Sequence, residues 1–171
     1  MENTKNYVIV LEPARAAQEK IENFRLENIG QRLVDNLPPH ITFKMRFALR
    51  ESVNEADIID LMNDFDFPRQ IMTLDKVEKF GDALVLVPND SELGEWHKAF
   101  CRLIDISVSS FKTEMEGKNF KPHMTLYRDG KTEGRDVNFA LGEVAIERMS
   151  FYEIDSTPER GFANLIFSRE L

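Results

Sequence analysis

A short pattern of polar and apolar residues occurs twice in the chain and contains two of its three histidines. Residues 39–43 read Pro-His-Ile-Thr-Phe, and residues 122–126 read Pro-His-Met-Thr-Leu. Successive side chains of a β-strand point to opposite faces, so the His and Thr of each copy share one face and the two apolar residues share the other. Each copy therefore predicts a strand that packs a core on one side and presents an imidazole and a hydroxyl on the other.

Two imidazoles that face one cleft are suited to acid–base chemistry on a phosphate. Histidine gains and loses a proton near neutral pH, so His40 and His123 can supply an acid and a base for an in-line displacement at phosphorus. The hydroxyls of Thr42 and Thr125 can then hydrogen-bond the non-bridging phosphate oxygens. This scheme requires neither a metal nor a cofactor, and it makes the two histidines the candidate catalytic residues.

Strict alternation extends the polar face of the first motif strand. Along residues 40–47 it puts Lys44 and Arg46 on the face of the motif histidine, where their charges would attract a phosphate. Cations on an exposed strand face are also ordinary, and that alternative stays open. In the second copy, alternation puts Tyr127 in the groove, where it either stacks on a base or covers the groove.

The elements that precede the two motifs follow the same order in both halves of the chain. The first half gives an apolar strand at residues 7–11, a proline, a helix over residues 14–28, a connection and the motif strand. The second half gives an apolar strand at residues 83–87, a proline, a helix that ends near residue 106, a connection and the motif strand. This repeat predicts a pseudo-twofold arrangement with the two motif strands on opposite walls of one groove.

The other elements complete an α+β fold. We expect one domain over residues 1–171, in which two pseudo-repeat lobes share a central cleft and two antiparallel-rich sheets are flanked by helices. Residues 107–119 are polar and fit either a helix end or a surface loop. The further predicted elements are a helix over 55–64, strands over 70–79, 142–154 and 162–167, and a turn-rich stretch over 129–136.

Composition limits the classes of partner and compartment. A net charge of −8 argues against non-specific coating of nucleic acid, which needs many cations, but it does not exclude a small phosphate site. The single cysteine excludes an internal disulfide and suits a reducing compartment. No apolar run is long enough to span a membrane, and the run near the N-terminus is too short for a signal peptide. These features predict a cytoplasmic protein without a membrane partner.

The doubled motif resembles that of the 2H phosphoesterase superfamily. Within it, the chain is most similar to small bacterial proteins of the 2′-5′ RNA ligase-like, RNA 2′,3′-cyclic phosphodiesterase group. The matching segments are residues 38–43 (Pro-Pro-His-Ile-Thr-Phe) and 120–128 (Phe-Lys-Pro-His-Met-Thr-Leu-Tyr-Arg). The resemblance implies a bilobal fold and hydrolysis of a 2′,3′-cyclic phosphate without a metal. One histidine activates water and the other protonates the 3′ oxygen; we take His123 as base and His40 as acid, although the sequence does not order them.

The resemblance also implies a basic residue just after the second motif, and Arg128 matches it by position. Strict alternation turns Arg128 away from the groove, so it becomes a phosphate ligand only if the strand ends or bulges there. The acidic net charge favours a small cyclic nucleotide or a short RNA end as the partner. The oligomeric state stays open.

Several functional alternatives remain at this point. The same acid–base pair run in reverse would serve 2′-5′ ligation, and another cyclic phosphate, such as one derived from ADP-ribose, would suit the same cleft. A non-catalytic module that binds nucleotides or RNA ends is a second class of function. An esterase acting at carbon is a third, and it is disfavoured because no Gly-x-Ser-x-Gly segment is present.

Other chemically notable residues have simpler interpretations. His97 lies on a predicted helix without a partner motif, and Cys101 has no second cysteine, so both are expected to be structural. A zinc site built on the two motif histidines is disfavoured because no third ligand recurs near either motif. We expect Phe80, Phe120 and Phe151 to line the core or the cleft.

Overall fold

The computed structural model describes residues 5–32, 36–89, 92–128, 137–155 and 161–171. Within these ranges the helices are α1 (Arg15–Ile29), α2 (Glu55–Asp64) and α3 (Leu93–Ile104), and two single-turn 3₁₀ helices span Thr113–Met115 and Gly117–Asn119. The strands are β1 (Asn6–Pro13), β2 (Ile41–Leu49), β3 (Gln70–Thr73), β4 (Lys76–Phe80), β5 (Ala83–Val87), β6 (Val108–Ser110), β7 (Met124–Arg128), β8 (Glu143–Ile154) and β9 (Ala163–Glu170).

The described strands form one antiparallel sheet in the order β3-β8-β1-β2-β7-β5-β4, with β6 paired to β2 and β9 paired to β8. The predicted α+β class is confirmed, but the expected two sheets are one, because the motif strands β2 and β7 pair with each other. The apolar run of β1 lies between β2 and β8, and every residue of this strand is buried. The two motif strands, β2 and β7, meet in the middle of the sheet through a single register pair, Ile41 with Met124.

The helix ends follow local capping rules. Helix α1 ends at Gly30, which has a left-handed backbone (φ 72°) and donates its N–H to the Leu26 carbonyl. Helix α2 begins at Asn54, whose side chain accepts from the backbone of Asp57 while the Asp57 carboxylate accepts from the backbone of Asn54. The bounds of α2 are those expected from the sequence, and α1 is shifted by one residue at each end from the expected 14–28.

Each repeat helix packs against the motif strand of the other half. Helix α1 follows β1 but contacts β7, and α3 follows β5 but contacts β2. Phe43 of β2 packs its ring against Phe100 of α3, and Phe24 of α1 stacks on Tyr127 of β7. This exchange places one helix behind each motif strand.

The largest difference from the predicted elements lies at residues 70–79, where two strands replace one. β3 pairs with β8, whereas β4 pairs with β5 at the other side of the sheet. Between them Leu74 is buried and exchanges backbone hydrogen bonds with Leu141 and Gly142. The chain therefore changes pairing partner at this point, which no single-strand pattern encodes. The turn-rich stretch predicted at 129–136 lies outside the described residues.

No described helix combines the length and apolar character that crossing a membrane requires.

Candidate active site

The register between the motif strands brings the four motif side chains together. Ile41 and Met124 pair directly, so one step along each antiparallel strand sets His40 across from Thr125 and Thr42 across from His123. All four line a cavity of about 340 Å³. Ile41 and Met124 are fully buried on the opposite face. The structure thus places two imidazoles and two hydroxyls around one cavity.

The two motif histidines are oriented in the same way. Nδ1 of His40 lies 2.7 Å from the carbonyl oxygen of Pro38, and Nδ1 of His123 lies 2.7 Å from that of Lys121. A carbonyl oxygen only accepts, so Nδ1 carries the hydrogen in both rings. Proton exchange in each neutral imidazole is therefore left to Nε2.

The surroundings of His123 favour its neutral form. Burial lowers the pKa of His123, and the nearby charge of Arg128 lowers it further, while the hydrogen bond to Lys121 opposes both. The ring of Phe80 packs against this imidazole with 4.9 Å between centroids. A neutral ring with a protonated Nδ1 can accept a proton at Nε2, which is the property a general base needs.

The first motif strand departs from alternation just after the motif. The pairing of β1 with β2 shifts register twice, and each shift adds one residue to β2, the first of them at Phe43. Phe43 and Lys44 consequently both face α3, whereas Met45 and Arg46 both line the cavity. The prediction that Lys44 faces the groove is wrong, because the extra residue turns it to the other side of the sheet.

Lys44 instead forms an ion-pair cluster behind the motif, with the buried carboxylate of Glu116 and the exposed one of Asp105. Its side chain is fully buried, with Nζ 2.9 Å from Glu116 Oε2, 2.7 Å from Asp105 Oδ1 and 3.9 Å from Cys101 Sγ. Burial lowers the pKa of Lys44, but its hydrogen bonds to the two carboxylates outweigh this, and the net pKa lies above the usual lysine value. Cys101, Asp105 and Glu116 lie close enough together to hold a metal ion. The ammonium group of Lys44 contacts all three and takes the position that such an ion would occupy.

The second motif strand departs from alternation at the corresponding position. In the pairing of β5 with β7, Leu126 is an extra residue between Thr125 and Tyr127. Arg128 therefore lines the cavity. This is the orientation that it needs if it is to contact a phosphate, as its match to the family motif implies. The prediction that Tyr127 faces the groove is wrong, because the extra residue turns its ring into the core, where it is fully buried.

Cationic side chains surround the histidines although the chain as a whole is acidic. Arg46 lines the cavity, donates from Nε to Asn6 Oδ1 at 3.2 Å, and holds its guanidinium 5.6 Å from the centre of the Phe111 ring. Arg128 forms an exposed ion pair with Asp82 at 2.9 Å. Four cations line this cavity against one described carboxylate, that of Asp155: Arg25, Arg46, Lys112 and Arg128.

Arg25 is a site residue that the sequence reasoning missed. It is 2% exposed and donates at 2.7 Å to the carbonyl oxygens of Thr125 and Leu126, the two residues at the β7 bulge. It therefore satisfies backbone groups at an irregular part of the ladder, directly behind the second motif. A signal was present, because Arg25 stands four residues after Ile21 on the apolar face of α1.

His97 and Cys101 lie on the other side of the sheet from the cavity. His97 is fully buried, donates from Nδ1 to the Phe43 carbonyl at 2.7 Å and accepts at Nε2 from the Gly117 N–H at 3.1 Å. Burial lowers the pKa of His97, consistent with a neutral ring. Burial also raises the pKa of Cys101 to about 12, which makes its thiol a weak nucleophile.

Several solved structures have the same fold as this chain. A phosphoesterase matches at 15% identity with a TM-score of 0.68, each chain being covered over 98% of its length. E. coli LigT in complex with 3′-AMP matches at 15% identity with a TM-score of 0.64 and 98% coverage of both chains. The protein TT0787 of Thermus thermophilus matches at 12% identity with a TM-score of 0.69 and 97% coverage of both. At these identities the likeness establishes the fold.

A comparison with curated proteins gives no match. The family model described as "2'-5' RNA ligase superfamily" matches residues 12–156, a range that contains both motifs, all four motif side chains of the cavity and the bulges of both motif strands. With this match over most of its length, the chain belongs to the 2′-5′ RNA ligase superfamily of 2H phosphoesterases.

Proposed function

We propose that the protein is a phosphodiesterase that hydrolyses 2′,3′-cyclic phosphates by two-histidine acid–base catalysis. The observation that carries the proposal is the cavity in which both motif histidines, with the same Nδ1 hydrogen bond, meet both motif threonines. The superfamily assignment supports phosphoester chemistry. A site that only binds phosphate needs cations or hydroxyls. It does not need two titratable imidazoles held in the same tautomer.

His123 acts as the base and His40 as the acid. Nε2 of His123 takes a proton from water as the water oxygen attacks phosphorus, and the bond from phosphorus to the 3′ oxygen breaks. His40, protonated at the start, gives its Nε2 proton to the departing 3′ oxygen, so the product carries a 2′-phosphate. The lowered pKa of His123 supports this order, because a base must be neutral when the reaction begins.

Charge on the phosphate is held by hydroxyls and cations of the same cavity. Thr42 and Thr125 donate to non-bridging oxygens, each standing across from the histidine of the other motif. Arg128 and Arg46 complete the phosphate-binding set in this scheme, since both line the cavity. Because each proton has a histidine to carry it, the reaction requires no metal.

The substrate is a small cyclic nucleotide or the cyclic phosphate end of a short RNA. Relatives of the same fold support a nucleotide: E. coli LigT has been solved in complex with 3′-AMP and with ATP. The superfamily description also names ligation, which is the same displacement with a ribose 5′-hydroxyl in place of water. Incubation with RNA that ends in a cyclic phosphate and RNA that ends in a 5′-hydroxyl would detect the 2′-5′ joined product.

The test compares the wild type with His40→Ala and His123→Ala on 2′,3′-cyclic CMP, with ³¹P NMR to identify the product. Each substitution is expected to lower kcat by a factor of about 10² to 10⁴, the usual contribution of a general acid or base. Unchanged thermal melting would show that the fold is retained. Turnover by the double variant at the wild-type rate would refute the assignment, and a 3′-phosphate product would refute the proposed leaving oxygen.

A further inference from the structure

The guanidinium of Arg25 binds backbone oxygens from two parts of the chain. It donates from Nε to the Leu126 carbonyl at 2.7 Å, from Nη2 to the Thr125 carbonyl at 2.7 Å and from Nη1 to the Arg32 carbonyl at 3.0 Å. The side chain is almost fully buried, and a charge that is removed from water requires such hydrogen bonds. Arg25 thus ties helix α1 and the connection that follows it to the second motif strand, β7.

The two β7 carbonyls that Arg25 binds belong to consecutive residues. In a regular antiparallel strand, the N–H and C=O of one residue point to one neighbouring strand, and those of the next residue point to the other. One edge of a guanidinium carries the Nε and Nη2 hydrogens side by side, so it does not reach two consecutive carbonyls of a regular strand. It reaches those of Thr125 and Leu126 because Leu126 is the extra residue of the β7 bulge. The fork of Arg25 therefore matches the bulged backbone and not the regular one.

The bulge decides which side chains of β7 face the cavity. Thr125 and Arg128 are three residues apart, and this odd spacing puts two side chains on opposite faces of a regular strand. Both nevertheless line the cavity, because the extra residue between them changes the alternation. Without the bulge, a strand that presents the Thr125 hydroxyl to the cavity turns the Arg128 side chain away from it.

Strand pairing on the β2 side of β7 ends before the bulge. Among the described residues, β7 pairs with β2 at one position, Met124 with Ile41, whereas it pairs with β5 from Met124 to Arg128. Helix α1 packs against β7, and its Arg25 donates to the two bulge carbonyls. A helix side chain thus supplies at the bulge the donors that a neighbouring strand supplies in a regular ladder.

We propose that Arg25 is a positioning residue for phosphate binding: by binding two consecutive carbonyls it holds the β7 bulge and so keeps Arg128 turned toward the phosphate beside Thr125. The inference rests on the proposed function, in which Thr125 and Arg128 contact the same phosphate. Arg25 acts through the backbone, so a positive charge alone does not replace it. Lysine keeps the charge but lacks the two parallel donors, and Arg25→Lys therefore removes the fork selectively.

A measurement on the wild type separates positioning from direct contact and needs no substitution. Inorganic phosphate is titrated into the protein, and NMR follows the Nε–H signals of Arg25 and Arg128. The Arg128 signal is expected to shift, whereas the Arg25 signal, fixed by the Leu126 carbonyl, should stay in place and exchange slowly with solvent. An Arg25 shift as large as that of Arg128 would overturn the proposal in favour of direct phosphate contact. Rapid exchange of the Arg25 Nε–H would show that it does not hold the bulge.

A double-substitution cycle tests the route through the bulge. The value of kcat/KM for 2′,3′-cyclic AMP is measured in the wild type, Arg25→Lys, Arg128→Met and the double variant. Arg25→Lys is expected to lower it about 10- to 100-fold, the range for one lost hydrogen bond to a charged group. Because Arg25 acts by orienting Arg128, adding Arg25→Lys to Arg128→Met should lower it no further than about twofold. Losses that multiply in the double variant would overturn the proposal.

The matched control is another arginine that binds backbone carbonyls. Arg169 is partly buried and donates to carbonyls within residues 62–67, but it does not line the cavity that contains the histidines. Arg169→Lys should therefore leave kcat/KM unchanged, although it loses a similar set of hydrogen bonds. A loss as large as that of Arg25→Lys would show that the effect is a general loss of stability, which would overturn the positioning role.

The pKa of His123, measured by NMR in the free protein, is a readout that a loss of stability alone does not move. The charge of Arg128 lowers this pKa, so its release in Arg25→Lys should raise the pKa toward the value in Arg128→Met. Arg169→Lys should leave it in place. An unchanged pKa in Arg25→Lys would overturn the inference whether or not the protein turns over cyclic phosphates. A raised pKa in a protein without turnover would support the hold on Arg128 and refute the proposed function alone.

Discussion

Strands β2 and β7 carry the same motif but differ in the two side chains that follow it. In each strand an extra residue after the threonine turns two consecutive side chains inward, and the next one faces the cavity. The second inward residue is Lys44 in β2 and Tyr127 in β7. The residue that then faces the cavity is Met45 in β2 and Arg128 in β7.

Behind each motif strand, a helix side chain donates a hydrogen bond to a backbone carbonyl at the bulge, but the two side chains differ in type. The carbonyl of Phe43 in β2 accepts from His97 of α3 at 2.7 Å, and the carbonyl of Leu126 in β7 accepts from Arg25 of α1 at 2.7 Å. Each helix thus donates to the bulge of the strand from the other half. The shared geometry orients two similar histidines. In the proposed mechanism the histidines take different roles because the side chains around them differ, and Arg128 lowers the pKa of His123.

The largest expected effect separates the acid from the base. A p-nitrophenyl phosphodiester has a leaving group that departs without a proton, so it bypasses the acid but still needs the base. His123→Ala should lose about 10²- to 10⁴-fold in kcat with this substrate as well as with a cyclic nucleotide. His40→Ala should lose that factor only with the cyclic nucleotide. The opposite pattern would exchange the two roles, and equal losses would contradict a distinct acid and base.

The buried cluster behind β2 makes Lys44 the residue whose loss should most affect stability. Lys44→Met leaves Glu116 buried without its cation, and we expect the free energy of unfolding to fall by about 3–5 kcal/mol. The double variant Lys44→Met/Glu116→Leu removes both charges and should recover most of that loss. Urea denaturation measures each value. A single variant as stable as the wild type would show that the pair contributes nothing.

Replacing Arg128 with methionine, the residue type at the equivalent position of β2 (Met45), makes the two motifs more alike. Arg128→Met should lower kcat/KM about 10- to 100-fold, the equivalent of one lost hydrogen bond to a charged group. Arg69→Met is the matched control, because Arg69 is also exposed and paired with one carboxylate, Glu147, but does not line the cavity that contains the histidines.

Arg128→Met is also expected to shift the pH dependence of kcat/KM in a definite direction. The charge of Arg128 lowers the pKa of His123, so its removal should raise that pKa. Under the proposed mechanism activity requires neutral His123 and therefore rises as the pH passes upward through this pKa. The rising limb of kcat/KM against pH is expected to move to higher pH in Arg128→Met and to stay in place in Arg69→Met. Movement to lower pH would contradict the assigned base.

The smallest expected effect concerns Tyr127, which occupies in β7 the position that Lys44 occupies in β2. Tyr127 is fully buried, and its hydroxyl has no hydrogen-bond partner among the described residues, so Tyr127→Phe should change the free energy of unfolding by less than about 1 kcal/mol. Tyr152→Phe is the control, since the Tyr152 hydroxyl donates to Glu12 at 2.9 Å, and it should cost about 1.5–3 kcal/mol. Equal losses in thermal or urea unfolding would contradict the unpaired state of the Tyr127 hydroxyl.

Much of the fold could be predicted from the sequence because local patterns determine it. The alternation at the motifs, the apolar run of β1, the glycine after α1 and the asparagine before α2 each act within a few residues. The doubled motif likewise predicted the four side chains that meet in the cavity.

The features that could not be predicted from the sequence depend on contacts between segments that are distant along the chain. A bulge is an extra residue relative to a partner strand, so alternation within one strand could not show that Lys44 and Tyr127 turn inward. Residues 113–121 lack a strong pattern of their own and are held by Lys44 and His97, which are distant in sequence. Arg25 was overlooked because its partners are backbone carbonyls, which no side-chain motif reveals.

In the proposed mechanism, two equally oriented histidines in one cavity carry different protonation roles. Long-range ¹H–¹⁵N NMR of the imidazoles in the free protein, recorded as a function of pH, measures both tautomer and pKa for each ring. We expect His40 and His123 to carry their neutral-form hydrogen on Nδ1, and the pKa of His123 to lie below the usual histidine value. A hydrogen on Nε2 of neutral His123, or a pKa above the usual value, would contradict its role as the base.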